Sequence, residues 1–124
     1  MSPKANFYVD GFILTVPQKR LQEYKRMARQ AGKVWREHGA LEFRECMGDD
    51  LNVKGMLPFP KMAKARPGEV VFFSYIVYKT KTHRKQVNSK VMKDPRLAKM
   101  MSSKNLPFDV KKMAYGGFKA VIDL

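Results

Sequence analysis

Cysteine is almost missing from this chain. Cys46 stands alone, so no intramolecular disulfide can form, and a reducing compartment, the cytoplasm, is the expected setting. Histidine is nearly as scarce. With only His38, His83 and one thiol, no zinc-type spacing exists, and there is no haem-attachment motif. No metal and no cofactor is expected. Asp49-Asp50 could hold a hard cation, but the turn-forming residues around the pair explain it better. No apolar run approaches the roughly 18 residues of a membrane span, and Met1-Ser2-Pro3-Lys4-Ala5-Asn6 lacks the apolar core of a signal peptide. No membrane partner is expected.

Acidic residues are the other shortage. Eleven Asp and Glu face 25 Lys and Arg, a formal net charge of +14. The imbalance peaks between Lys79 and Phe108, where Asp94 is the single acid among nine basic residues. Such a field attracts polyanions: nucleic acid, acidic lipid or anionic metabolites. A solvated basic face is nonetheless preferred, because neither an Arg/Gly-rich tail nor a basic recognition helix accompanies the charge.

What the chain does have is one domain's worth of core, read as a single unit over 1–124. Its most strand-like stretch is Val70–Tyr78, apolar on both faces: Val70, Phe72, Ile76 and Tyr78 point one way, Val71, Phe73, Tyr75 and Val77 the other. A strand apolar throughout has to be covered on both sides. Before it, Asn6–Val16 reads as a strand, with Gly11 marking a bulge or a close approach and Asp10 as a charge in apolar company. Pro17 suits a first helical turn, and Leu21, Tyr24, Ala28, Ala31, Trp35 and His38 form one helical stripe opposite Lys19, Arg26, Arg29, Lys33 and Arg36. Gly39 ends that helix.

Ala40–Asp49 is a strand of mixed polarity, with Leu41, Phe43, Glu45 and Met47 on one face and Glu42, Arg44 and Cys46 on the other. Met56–Pro60 reads as a covering or edge segment. After Tyr78 a helix begins near His83, capped by Thr80 or Thr82. Asp94-Pro95 restarts it as N-cap and first position. A strand from Lys111 to Leu124 closes the chain around a Gly116-Gly117 kink or bulge. Met92, Met100, Met101 and Met113 suit adaptable packing, or less readily a promiscuous groove.

Strand, helix, strand, strand, helix, strand is the α+β, ferredoxin-like βαββαβ order. It implies a four-stranded antiparallel sheet with helices on one face and strands one and three central. The second apolar face then has two solutions. It stacks bases, as RRM domains do, or it packs against a second copy to close a dimeric α/β barrel. Gly68-Glu69-Val70-Val71-Phe72-Phe73 lacks the longer RRM signature, and an apolar face this large is a liability in water. The homodimer through the sheet face is preferred.

Several longer segments sharpen the picture: Tyr8-Val9-Asp10-Gly11-Phe12, Trp35-Arg36-Glu37-His38-Gly39-Ala40-Leu41-Glu42 and Arg44-Glu45-Cys46-Met47-Gly48-Asp49-Asp50. His83-Arg84, Val87-Asn88, Asp94-Pro95-Arg96, Leu106-Pro107-Phe108-Asp109 and Gly116-Gly117-Phe118 join them. On these the chain resembles the bacterial YbaA-like family of uncharacterised proteins, in the dimeric α/β-barrel superfamily. That resemblance implies the fold and the dimer but no activity. Related barrels include cofactor-independent monooxygenases, haem-degrading enzymes and stress-response proteins, with ligands between sheet and helices or in the barrel.

Any pocket should be lined by polar groups on otherwise apolar elements. Asp10, His83 and Asn88 form the first constellation, with Tyr8, Trp35, His38, Arg44 and Arg96 as neighbours. An Asp10–His83 pair could move protons, and Arg44 or Arg84 could hold an anionic ligand. The plain packing alternative places His83 in a first helical turn, uses Asn88 to tie down a loop and pairs Asp10 with a lysine at a dimer rim. His38 likewise fits a helix-end cap, and Cys46 an inert strand cysteine. Enzyme, small-ligand binder, nucleic-acid module and non-catalytic stress-associated dimer all stay open at this point.

Overall fold

A computed structural model describes residues 7–124; the expectations for Met1–Asn6 lie outside that range. The protein is α+β, with one four-stranded sheet in which every neighbouring pair runs antiparallel. Strand β1 (Tyr8–Pro17) and helix α1 (Leu21–Glu37) come first, joined by a 3₁₀ turn at Gln18–Arg20. Pro17 thus ends a strand and does not open the helix. Next come β2 (Glu42–Met47), a short α2 (Phe59–Met62) and β3 (Glu69–Tyr78). Helices α3 (Lys81–Met92) and α4 (Pro95–Met101), a 3₁₀ turn at Val110–Lys112 and β4 (Ala114–Lys119) complete the chain. Across the sheet the order is β2-β3-β1-β4, so the first and third strands are the central ones.

Local chemistry sets most of these boundaries. The Thr80 hydroxyl accepts the His83 backbone N–H at 3.0 Å, which starts α3 two residues before His83 itself. The Asp94 carboxylate accepts the Arg96 backbone N–H at 2.9 Å, with Pro95 as the first residue of α4. Met56–Pro60, expected as a covering or edge segment, enters no strand. Pro58 precedes a single helical turn that packs against β3, because two prolines two residues apart suit a helix start better than a ladder. The final strand is also shorter than Lys111–Leu124, and its ladder to β1 runs unbroken from Tyr8↔Lys119 to Ile13↔Ala114.

The glycines of that ladder therefore mark close approach and not a bulge. A Cβ on Gly117 would lie 2.7 Å from the Tyr8 ring and 3.1 Å from the Arg84 guanidinium carbon. A Cβ on Gly11 would sit 3.2 Å from Phe118.

Alternation sorts the two sheet faces. Leu14 and Val16 of β1, with Phe72, Ile76 and Tyr78 of β3, are buried in two adjoining clusters. Tyr24, Ala28 and Val34 from α1, Val87 and Val91 from α3, and Leu97 from α4 cover them. On the opposite face Phe73 is 47 % and Phe118 64 % exposed, while Val9, Ile13, Tyr75 and Val77 are half-buried. That second face carries large apolar groups, of which Val71, beside Thr15, is buried.

Candidate functional site

Asp10 occupies the helix-covered face of a central strand and is 1 % exposed. A bare carboxylate there would cost several kcal/mol, yet the chain surrounds it with donors. Arg84 Nε, from the first turns of α3, donates to Oδ1 at 2.8 Å. Tyr115 Oη of β4 donates to the same oxygen at 3.2 Å. The Tyr78 hydroxyl lies 2.9 Å from Oδ2 and 3.0 Å from Asn88 Oδ1, so one proton serves two acceptors. Asn88 Oδ1 also accepts from Trp35 Nε1 of α1 at 3.0 Å. Tyr8 stacks beneath the Arg84 guanidinium, 5.1 Å from ring centre to Cζ.

The network thus gathers Tyr8, Asp10, Trp35, Arg84 and Asn88 from the sequence candidates and adds Tyr78 and Tyr115. Burial, followed by the Asp10 carboxylate, drives the Tyr78 hydroxyl well above its ordinary range and keeps it a donor. Burial works against the Arg84 charge, but its bonds to Asp10 and Tyr115 outweigh that and hold it firmly protonated. Every oxygen of the carboxylate is engaged. As it stands, this arrangement orients strands and a helix; it offers no free acid or base.

The remaining candidates lie elsewhere. His83 is hydrogen bonded not to Asp10 but through Nδ1, which accepts the Lys79 backbone N–H at 2.9 Å. Burial, with help from Lys79 and Lys90, lowers its proton affinity. His38 joins Asp94 at 2.8 Å, and Arg96 bridges Asp94 and Glu37 at 2.9 and 3.0 Å, locking the end of α1 to the start of α4. Arg96 and His38 hold the Asp94 carboxyl far below the usual range. Arg44 lies on the uncovered face, paired with Glu42 and set over Tyr75. Among the described residues no three His, Cys, Asp or Glu side chains form a metal-ligating group.

A cavity of about 210 Å³ opens instead between the sheet and α1, α4 and the 106–113 connector. Its walls are almost wholly apolar, with Leu14, Ala28, Trp35, Ile76, Met100 and Phe108 among them. Met101 and Met113 also line it, which gives most of the methionine cluster an adaptable wall. One carboxyl belongs to this space. Glu45 Oε1 accepts from Tyr24 Oη at 2.7 Å and from Ser74 Oγ at 2.5 Å. Burial raises its proton affinity, opposed only in part by those two bonds.

Glu45 and Ser74 were legible as anomalies without being read as a pair. Glu45 is the one acid on the Phe43/Met47 face, and Ser74 the one polar residue within Val70–Tyr78. They sit directly opposite each other in the β2–β3 ladder. Arg20 helps shape the cavity from outside, donating to the backbone oxygens of Asn105 and Leu106 at 2.5 and 2.9 Å. It thereby places Phe108, whose ring meets Tyr24 edge-on at 5.8 Å.

A family profile described as protein of unknown function, DUF1428, matches residues 7–110. "Uncharacterized protein YbaA" from Escherichia coli K12 is 40% identical over 116 residues, covering 94% of this chain and 97% of that protein. The protein of the same description from Shigella flexneri matches to the same extent.

Two outcomes follow from the two carboxyls. Asp10→Ala strands the Arg84 charge and should cost about 3–5 kcal/mol in urea unfolding, while Glu42→Ala, from an ion pair half in solvent, should cost less than about 1 kcal/mol. Equal losses would remove the structural role of Asp10. For Glu45, a proton held more tightly in the folded chain gives stability that is complete below the unfolded value and lost as pH rises through the folded one. Wild-type stability should therefore decline above the ordinary glutamate range, near ~4.3, more steeply than that of Glu45→Gln. Parallel profiles would show that Glu45 titrates normally.

Proposed function

Since this chain belongs to the DUF1428 family of proteins of unknown function, we propose a role from its own geometry: a cytoplasmic homodimer that holds a small, largely apolar molecule between sheet and helices. The observation that carries this reading is the 210 Å³ cavity, with apolar walls and a single carboxyl whose proton affinity is raised. A ligand with an aromatic or aliphatic body and one hydroxyl group suits it. The body replaces water against Leu14, Ile76 and Trp35, and the hydroxyl meets Glu45. An anion is disfavoured by the same carboxyl, so of the anionic and aromatic alternatives the aromatic one has the better support. A carboxyl of raised proton affinity in an apolar cavity is also what general acid catalysis uses. A purely structural dimer would have no use for the open space.

The unit itself is read as ferredoxin-like, supported by the β2-β3-β1-β4 order with β1 and β3 central. The second copy is proposed on the uncovered face. Phe73, Phe118, Val9, Ile13 and Val77 form a broad apolar surface there, and the charged pair Glu42–Arg44 balances itself. Among the described residues no helix is long and apolar enough to cross a membrane. The exposed, unpaired Cys46 fits a reducing compartment.

Sedimentation velocity tests the assembly. The wild type should run as a dimer and Phe73→Lys as a folded monomer; a monomeric wild type at micromolar concentration would overturn the barrel. Trp35 is the single tryptophan and lines the cavity, so its fluorescence reports occupancy. Titration with benzyl alcohol should perturb it in the wild type and not in Ala31→Leu, where a cavity-lining alanine is enlarged. No response in the wild type, or the same response in both, would reject the ligand reading.

A further inference from the structure

A second concavity, of about 520 Å³, runs along the outside of the molecule between α1 and the edge strand β2. Its floor is apolar: Met47, 48 % exposed, and half-buried Phe43, with the buried Phe72 at its base. One wall is cationic. Lys25, Arg29, Lys33 and Arg36 recur at spacings of 4, 4 and 3, a single stripe about 16 Å long on α1 at 1.5 Å per residue.

All four side chains are exposed, and none belongs to an ion pair among the described residues. Arg36 alone has a fixed partner, donating to the Leu41 carbonyl at 2.7 Å. The one acid lining the groove, Glu45, gives one oxygen to Tyr24 and Ser74. A merely solvated basic face would send its charges over polar ground. Here they border an exposed apolar floor.

We propose that this groove binds an amphipathic anion, a medium-chain carboxylate, with its chain along Phe43 and Met47 and its head group on Arg29, Lys33 and Arg36. Each half of the site selects against a simpler ligand. A neutral hydrocarbon leaves the cations with nothing to bind, and a nucleic-acid backbone leaves the floor wet. Arginine forks and lysine ammonium groups favour a carboxylate through charge-assisted bonds. The volume falls within the usual range for small-molecule sites. The groove shares Tyr24, Ala28, Phe43 and Glu45 with the inner cavity as a common wall, but its four basic residues line the groove alone. The site is therefore independent of the ligand proposed for the cavity.

Isothermal titration of the full chain with decanoate and with decanol tests the proposal, alongside Arg29→Gln/Lys33→Gln, a double variant at exposed positions whose fold is checked by thermal melting. Decanoate should bind, decanol at least about tenfold more weakly, and the double variant should weaken decanoate by about tenfold or more. Ala31→Leu should leave decanoate binding unchanged, which separates this site from the inner cavity. Equal binding of acid and alcohol, or an unaffected double variant, would overturn the proposal. Loss of decanoate binding in Ala31→Leu would place the ligand in the cavity instead. A single-stranded oligonucleotide that outcompetes decanoate and is lost in the double variant would mark a polyanion surface, and would overturn it equally.

Discussion

A carboxylate in the middle of a central strand has to be neutralised before anything can pack over it. Asp10 is neutralised by one guanidinium and two phenols, drawn from three other elements: Arg84 from α3, Tyr78 from β3 and Tyr115 from the edge strand β4. Through Asn88 and Trp35 the same chain of bonds reaches α1. The buried charge therefore fixes the relative placement of three strands and two helices. Replacement by an apolar side chain could satisfy the core, but it would not specify which residue of α3 faces β1. Directional, charge-assisted bonds supply that specificity at the cost of desolvation.

The uncovered sheet face and the inner cavity answer to different physics. The face is broad, apolar and self-balanced in charge, which suits another surface of the same kind. The cavity is small and apolar, with one carboxyl anchored by Tyr24 and Ser74, which suits a molecule that brings its own hydrogen bond. Four of the basic residues, along α1, border the outer groove, which shares a wall with the cavity.

Much of the architecture could be read before any coordinates, because it rests on local signals. The stripe from Leu21 to Trp35, the Thr80 and Asp94 caps and the two-faced apolar run at 70–78 each depend on a few neighbouring residues. Pro17 and Met56–Pro60 were harder. Proline fixes its own φ and lacks a donor, but strand ends and helix starts both accept it. At the candidate site, Asp10 stood out as a charge among apolar residues, but its partners lie 68, 74 and 105 positions away. No periodicity connects such positions. Glu45 and Ser74 needed the strand register, which is a property of the sheet and of neither strand alone.

Gly117 extends this dependence to a residue that makes no bond in the network. The space a side chain would need there is filled by Tyr8 and Arg84, and Arg84 stays in place because it is bound to Asp10. Four positions spread over more than a hundred residues are thus coupled through one small volume. Any side chain at 117 has to displace the Tyr8 ring and the arginine stacked on it, and with them the charge that neutralises Asp10.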